Sequence, residues 1–197
     1  MLYNFIKYLL GVIIFFLVKV EVKNLDKLPQ EGPVLLACNH LSIWDPIMLG
    51  VYLPRKLHFM AKEELFKIFL VGNVIRRIGT FPVKRGAADR NAIREAIRVL
   101  KENKVLCMFP EGTRSKTGDL LDFQAGVTLI AQKGNAPIVP VGLKGTNEIS
   151  IFSFKTKISL NIGEPIYLEQ LTEGKMNSEQ LEQITKLLHN QVKDLLI

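Results

Sequence analysis

Apolar residues in this chain come in short runs bounded by Gly, Pro and polar loops. Val34–Cys38 is apolar throughout and follows Gly32-Pro33, the mark of a strand buried on both faces. Val105–Phe109, Ile138–Gly142 and Ile158–Ile162 carry the same signal, and Leu57–Met60 and Gly79–Val83 a shorter one. Helical spacing falls between them. Within Asp89–Lys101, Ile93, Ile97 and Leu100 recur on one face beside Ala92 and Ala96. Glu63–Ile75 predicts a helix broken near Gly72, and Phe123–Lys133 a helix ended by Gly134. Asp45-Pro46 reads as a helix start, with Asp45 at the N-cap and Pro46 at the first helical position. Leu181, Ile184, Leu188, Val192 and Leu195 mark a C-terminal amphipathic helix packed on the sheet, after a polar loop over Glu169–Ser178. Strands alternating with helices imply an α/β fold with a mainly parallel central sheet flanked by helices.

The N-terminus departs from this pattern. Tyr8 to Val18 is an unbroken apolar run between Lys7 and Lys19. It falls short of the roughly 20 residues that span hydrocarbon, although counting from Leu2 with Lys7 snorkelling gives a marginal span. No small-residue cleavage site follows, so a removed signal peptide is not expected. The expected reading is a retained apolar membrane-associating helix within residues 1–24, either spanning once or lying in the interface. Lys19, Lys23 and Lys27 would then hold residues 25–197, a single domain, on the cytoplasmic face of the cell membrane. The alternative is a helix buried in the core.

Composition narrows the field. The chain has 197 residues, 48% hydrophobic and 23% charged, which suits one packed domain and excludes disorder. Its net charge of +7 favours anionic partners. The basic residues are not interleaved with aromatics and form no dense tract, so nucleic acid is not an expected partner. Cys38 and Cys107 both sit in apolar runs and are expected to be reduced and buried, a disulfide being the less favoured alternative. No metal-ligand spacing is present.

Candidate chemistry begins at Asn39-His40-Leu41-Ser42-Ile43-Trp44-Asp45, directly after the first strand. A His at a strand end with a carboxylate five residues on suits a general base and its orienting acceptor. The competing reading is that Asp45 only caps a helix, and Asp45 has oxygens enough for both tasks. No Gly-x-Ser-x-Gly elbow is present, Ser42 beside His40 is explained as well by a helix N-cap, and Cys38 is placed to pack in the core. That leaves a substrate hydroxyl as the nucleophile. Lys84-Arg85-Gly86 and Phe109-Pro110-Glu111-Gly112-Thr113-Arg114-Ser115 follow two further strands. Arg85 and Arg114 suit phosphate contact, and Gly112 close backbone approach to an anion. Glu111 either takes a substrate hydroxyl or holds one of these arginines. Singly, each basic residue reads as a solvated surface charge. His58 and His189 are expected to be structural.

Four blocks in order resemble the bacterial lysophosphatidate acyltransferases (1-acylglycerol-3-phosphate O-acyltransferases) of the glycerolipid acyltransferase superfamily. They are Asn39–Asp45, Gly79-Thr80-Phe81-Pro82-Val83-Lys84-Arg85, Phe109–Ser115 and Ala136-Pro137-Ile138-Val139-Pro140-Val141. The resemblance implies an acyltransferase domain over residues 25–197, with His40 as general base and Asp45 its partner. It implies that Arg85, Glu111 and Gly112, with Thr113 and Arg114, bind the acceptor's glycerol phosphate, and that Pro140 shapes the site or the acyl-binding region. It further implies acyl-CoA or acyl carrier protein as donor, no metal or cofactor, and a membrane lipid as acceptor. Lys84 stands where many relatives carry Asp, which leaves glycerol 3-phosphate or another lysolipid as an alternative acceptor. A non-catalytic basic module that binds membranes is the alternative from another class.

Overall fold

The computed structural model describes residues 2–84, 89–150, 155–171 and 174–197. Its elements in chain order are α1 (Leu2–Leu17), β1 (Val18–Lys23), β2 (Val34–Cys38), α2 (Asp45–Tyr52), β3 (Leu57–Lys62), α3 (Phe69–Arg77), β4 (Phe81–Val83), α4 (Arg90–Lys101), β5 (Val105–Met108), α5 (Gly126–Gly134), β6 (Ile138–Lys144), β7 (Thr156–Ile162) and α6 (Ser178–Asp194). One seven-stranded sheet runs in the order β1-β7-β6-β2-β5-β3-β4. Five strands are mutually parallel. β7 is antiparallel to β6, and β1 runs parallel to β7.

The unbroken apolar runs have a simple cause: the sheet is covered on both faces. In β2, Val34, Leu36 and Cys38 face one core with Ile14, Met48 and Leu49 of α1 and α2. Leu35 and Ala37 face the other with Ala96, Leu100, Ile130 and Leu188 of α4, α5 and α6. Asp89 caps α4 by accepting from the N–H groups of Asn91 and Ala92. Cys38 and Cys107 are free and buried, and burial pushes both thiols up.

Four expectations need correction. Asp45 is not an N-cap: α2 begins at Asp45 itself, Trp44 holds the cap position, and the Asp45 carboxylate turns back towards the preceding loop. The break in the 63–77 segment lies at Ile68, which is extended between a 3-10 helix (Glu63–Lys67) and α3. Gly72 serves close approach instead, because a Cβ there would sit 2.4 Å from the Phe66 carbonyl oxygen. α5 starts at Gly126 rather than Phe123, because the segment before it spends Leu121 N–H and Gln124 N–H on Glu111 and Pro110. Its end is Asn135 in the left-handed region, not Gly134. β1, read only as a flank of the apolar run, is an edge strand of the sheet.

α1 is a sixteen-residue helix, about 24 Å long at 1.5 Å per residue. Among the described residues no helix is long and apolar enough to cross a membrane, so the marginal span is not formed. Lys7 does not snorkel along it; its ammonium donates to the Leu53 carbonyl. One side of α1 buries Ile14, while Phe5, Tyr8, Phe15 and Phe16 are exposed.

His58, in β3, is buried against Gly79, and its Nδ1 has no hydrogen-bond partner among the described residues. Burial, helped by Lys56 and Lys104, brings its pKa down to about 4. The folded state therefore keeps the ring neutral where the unfolded chain binds a proton. Stability is expected to fall as pH drops from 6.5 towards 4. In His58→Leu, urea midpoints near neutrality and near pH 5 should differ less than in the parent; an equal difference would remove His58 from this account.

Candidate active site

Three adjacent strands, β6, β2 and β5, end at one edge of the sheet, and the segments after them converge there. His40 follows β2, Glu111 follows β5 and Thr146 follows β6. All three are buried, as is Asp45 at the start of α2.

His40 is fixed from four sides. Its Nδ1 lies 2.7 Å from Asp45 Oδ2. Its N–H donates to Glu111 Oε1 at 2.5 Å, and its carbonyl accepts from Ser115 N–H at 2.8 Å. Its ring stacks on Phe109 at a centroid distance of 4.0 Å. Nε2 is left without a protein partner among the described residues. Asp45 Oδ2 also accepts from Leu41 N–H at 2.7 Å and Ser42 N–H at 2.8 Å, while Oδ1 accepts from the Thr146 hydroxyl at 2.5 Å. Every one of these partners can donate, which is what a carboxylate takes. The proton on the imidazole then sits on Nδ1, and Nε2 keeps its lone pair. Such an arrangement can accept a proton at Nε2 and hold the resulting cation against Asp45.

Glu111 does not reach for an arginine among the described residues. Its second oxygen accepts from Leu121 N–H at 3.1 Å, so the side chain ties the β5 loop to both His40 and the segment before α5. Burial pushes its carboxyl up from the usual range. Gly112 has a φ of 71°, and a Cβ there would meet Gln124 Nε2 at 2.5 Å, so this turn requires glycine. Thr113 and Arg114 are exposed on the same loop. Arg85 lies outside the described residues. Lys84, just before it, is exposed at the end of β4, two strands away from β5. Pro140 lies inside β6 opposite Ala37, packed against Gly163, rather than in a loop of the site. Among the described residues no cluster of His, Cys, Asp and Glu is arranged to hold a metal ion.

The family model described as Acyltransferase matches residues 19–144, well over half of the chain and every described element of this site except Thr146. The chain belongs to the acyltransferase family. A 1-acyl-sn-glycerol-3-phosphate acyltransferase of Bacillus subtilis is 34% identical over 195 residues, covering 98% of this chain and 96% of that protein. One of Streptococcus pneumoniae is 31% identical over 97% of this chain and 73% of its own length. The crystal structure of a 1-acyl-sn-glycerophosphate acyltransferase from Thermotoga maritima superposes with a TM-score of 0.77 at 28% identity, over 98% of this chain and 79% of that one. This chain is accordingly an acyltransferase with the α/β fold of that structure.

Sequence reasoning missed three members of the site. Thr146, just past the carboxyl end of β6, buttresses Asp45, and Phe109 supplies the ring under His40. Asn39 clamps β2 to β6 through both the N–H and the carbonyl of Leu143, each at 2.8 Å. Gly145-Thr146, a turn residue and a hydroxyl closing the β6 run, was the available signal for the first. Thr146→Val removes the hydrogen-bond donor that Asp45 Oδ1, a buried carboxylate oxygen, has among the described residues. It is expected to lower unfolding free energy by about 1–3 kcal/mol in urea titrations, with Thr146→Ser close to the parent. Equal stability of the Val and Ser variants would show that this hydrogen bond carries no weight.

Proposed function

We propose that the chain transfers a fatty acyl group from an acyl thioester to the free hydroxyl of 1-acyl-sn-glycerol 3-phosphate, giving phosphatidate. His40 Nε2 takes the hydroxyl proton as the oxygen attacks the thioester carbonyl. The tetrahedral intermediate collapses, the C–S bond breaks, and the departing thiolate takes the proton from His40. Asp45 fixes the ring and stabilises the imidazolium between the two transfers. Arg85 and Arg114, with Gly112 and Thr113, hold the acceptor's phosphate so that its hydroxyl meets Nε2, which is catalysis by positioning. Glu111 acts by anchoring the backbone of His40. The donor is acyl-CoA or acyl carrier protein, and no step uses a metal or cofactor.

The observation that carries this reading is the Asp45–His40 pair, 2.7 Å apart, with Nε2 open at the carboxyl edge of the sheet. Among the described residues the nearby side-chain nucleophiles are otherwise engaged: Cys38 lies in the core with its thiol pushed up by burial, the Thr146 hydroxyl donates to Asp45, and the Ser115 hydroxyl accepts from Gly118 N–H. The relatives named above, matched over nearly the whole chain, support the choice of acceptor.

Both substrates carry lipid chains. The exposed aromatic face of α1 is therefore assigned to the interfacial layer of the cell membrane, in a monotopic attachment at the cytoplasmic face. The decisive test incubates purified full-length chain with lysophosphatidate and either donor, and follows phosphatidate by mass spectrometry. Phosphatidate formation is expected. Acylation of glycerol 3-phosphate or another lysolipid, with lysophosphatidate untouched, would overturn the acceptor assignment.

A further inference from the structure

α3 is built the wrong way round for a helix that packs on a core. Gly72 is its only buried residue, pressed against Phe66 of the preceding 3-10 helix. At 100° per residue, Leu70 and Val74 point away from that contact, and Val71 lies beside them. Leu70 is 74% exposed and Phe69, at the helix start, 80%. Leu65 and Ile68, just before α3, are exposed too. Single exposed apolar residues need no explanation, but a contiguous set on an outward helix face does.

Charge indicates what covers this face. α3 contains no acidic residue, and Arg76 and Arg77 close it. Arg76 lies over the Phe66 ring at 5.3 Å, and Lys67 is exposed beside the helix start. Glu64 is engaged by Lys62 at 3.1 Å. Lys67 at one end of a short apolar face and Arg77 at the other match an anionic phospholipid surface, with the chains below and the phosphates level with these two cations. β3 delivers the chain into this segment at its carboxyl end, the edge at which the candidate site is built.

We propose that the outward face of α3, from Phe69 to Val74, inserts into the interfacial layer of an anionic phospholipid bilayer, with Lys67 and Arg77 on the head groups. It is a second contact, separate from α1, and it sets the site edge of the sheet against the lipid. It rests on the reading that the acceptor is a membrane lipid.

The test reads position 70 directly. Both native cysteines are buried, so Leu70→Cys in the full chain takes an environment-sensitive fluorophore selectively, with Lys186→Cys on α6 as the control. Vesicles of phosphatidylcholine and phosphatidylglycerol should shift the position-70 emission to the blue and let lipid-borne nitroxides quench it, leaving position 186 unchanged. A position-70 label that stays aqueous while the protein sediments with the vesicles would overturn the proposal. So would light scattering that shows a dimer already shielding the label before lipid is added. Phe69→Ser with Leu70→Ser should lower turnover of vesicle-borne acceptor about tenfold while sparing a monomeric short-chain acceptor. Equal loss in both assays would count against a lipid-facing role. Insertion without any acyl transfer would sink the proposed function and leave this contact standing.

Discussion

Replacing His40 with Ala is expected to lower kcat about a thousandfold and leave the fold in place, the loss usual for a general base. The fold should survive because the other contacts do not need the ring. The His40 N–H still donates to Glu111, and its carbonyl still accepts from Ser115 N–H. Asp45 Oδ2 keeps the N–H groups of Leu41 and Ser42. What disappears is the ring on Phe109 and with it the lone pair at Nε2. Steady-state rates with lysophosphatidate and an acyl thioester, beside a thermal melt, make the check. A variant that melts like the parent and turns over at the parent's rate would end the general-base assignment.

Asp45→Asn should cost about a hundredfold to ten-thousandfold in kcat with little change in stability. The amide has one arrangement that fits. Its oxygen must stay where Oδ2 accepts from His40, Leu41 and Ser42, which sends the NH2 group to the place of Oδ1. There the Thr146 hydroxyl can turn from donor to acceptor. Geometry is kept, but the negative charge that would face the imidazolium is gone. Asp45→Ala is a different experiment, because it strands two backbone N–H groups and the Thr146 hydroxyl, each a cost of about 1–3 kcal/mol if left unpaired. Denaturant titrations should separate the two variants, with Ala much the less stable. Because a hydrogen bond to a charged carboxylate is the stronger, Thr146→Val should be less harmful in the Asn background than in the parent. Unchanged kcat in Asp45→Asn would remove the electrostatic role and leave Asp45 a purely structural ligand.

The strands β2 and β5 were legible in the sequence because burial on both faces leaves no polar residue in either. Val34–Cys38 has the same limits in sequence and in structure for that reason. The site was half legible. His40 and Asp45 lie five residues apart, so their meeting is a local matter. Thr146 is 101 residues from Asp45 and reaches it only because β6 lies beside β2. The backbone partners of Glu111 were not legible for a related reason: they are N–H groups, which no pattern of side chains reveals. The late start of α5 follows from the same contact, since helical propensity yields when a loop must satisfy a buried carboxyl. β1 alternates Val with Lys and Glu, as a strand should, yet its partner lies near the other end of the chain.

That pairing has a consequence in time. Val18 lies opposite Thr156, so an outer strand of the sheet is synthesised long before the neighbour it pairs with. Closing so long a loop is slow, and contacts this distant in sequence form late. While the chain is being made, β1 therefore has nothing to pair with, and α1 emerges attached to an unfinished sheet. A ribosome-bound chain halted before residue 156 should hold β1 open to hydrogen exchange, and release of the whole chain should close it.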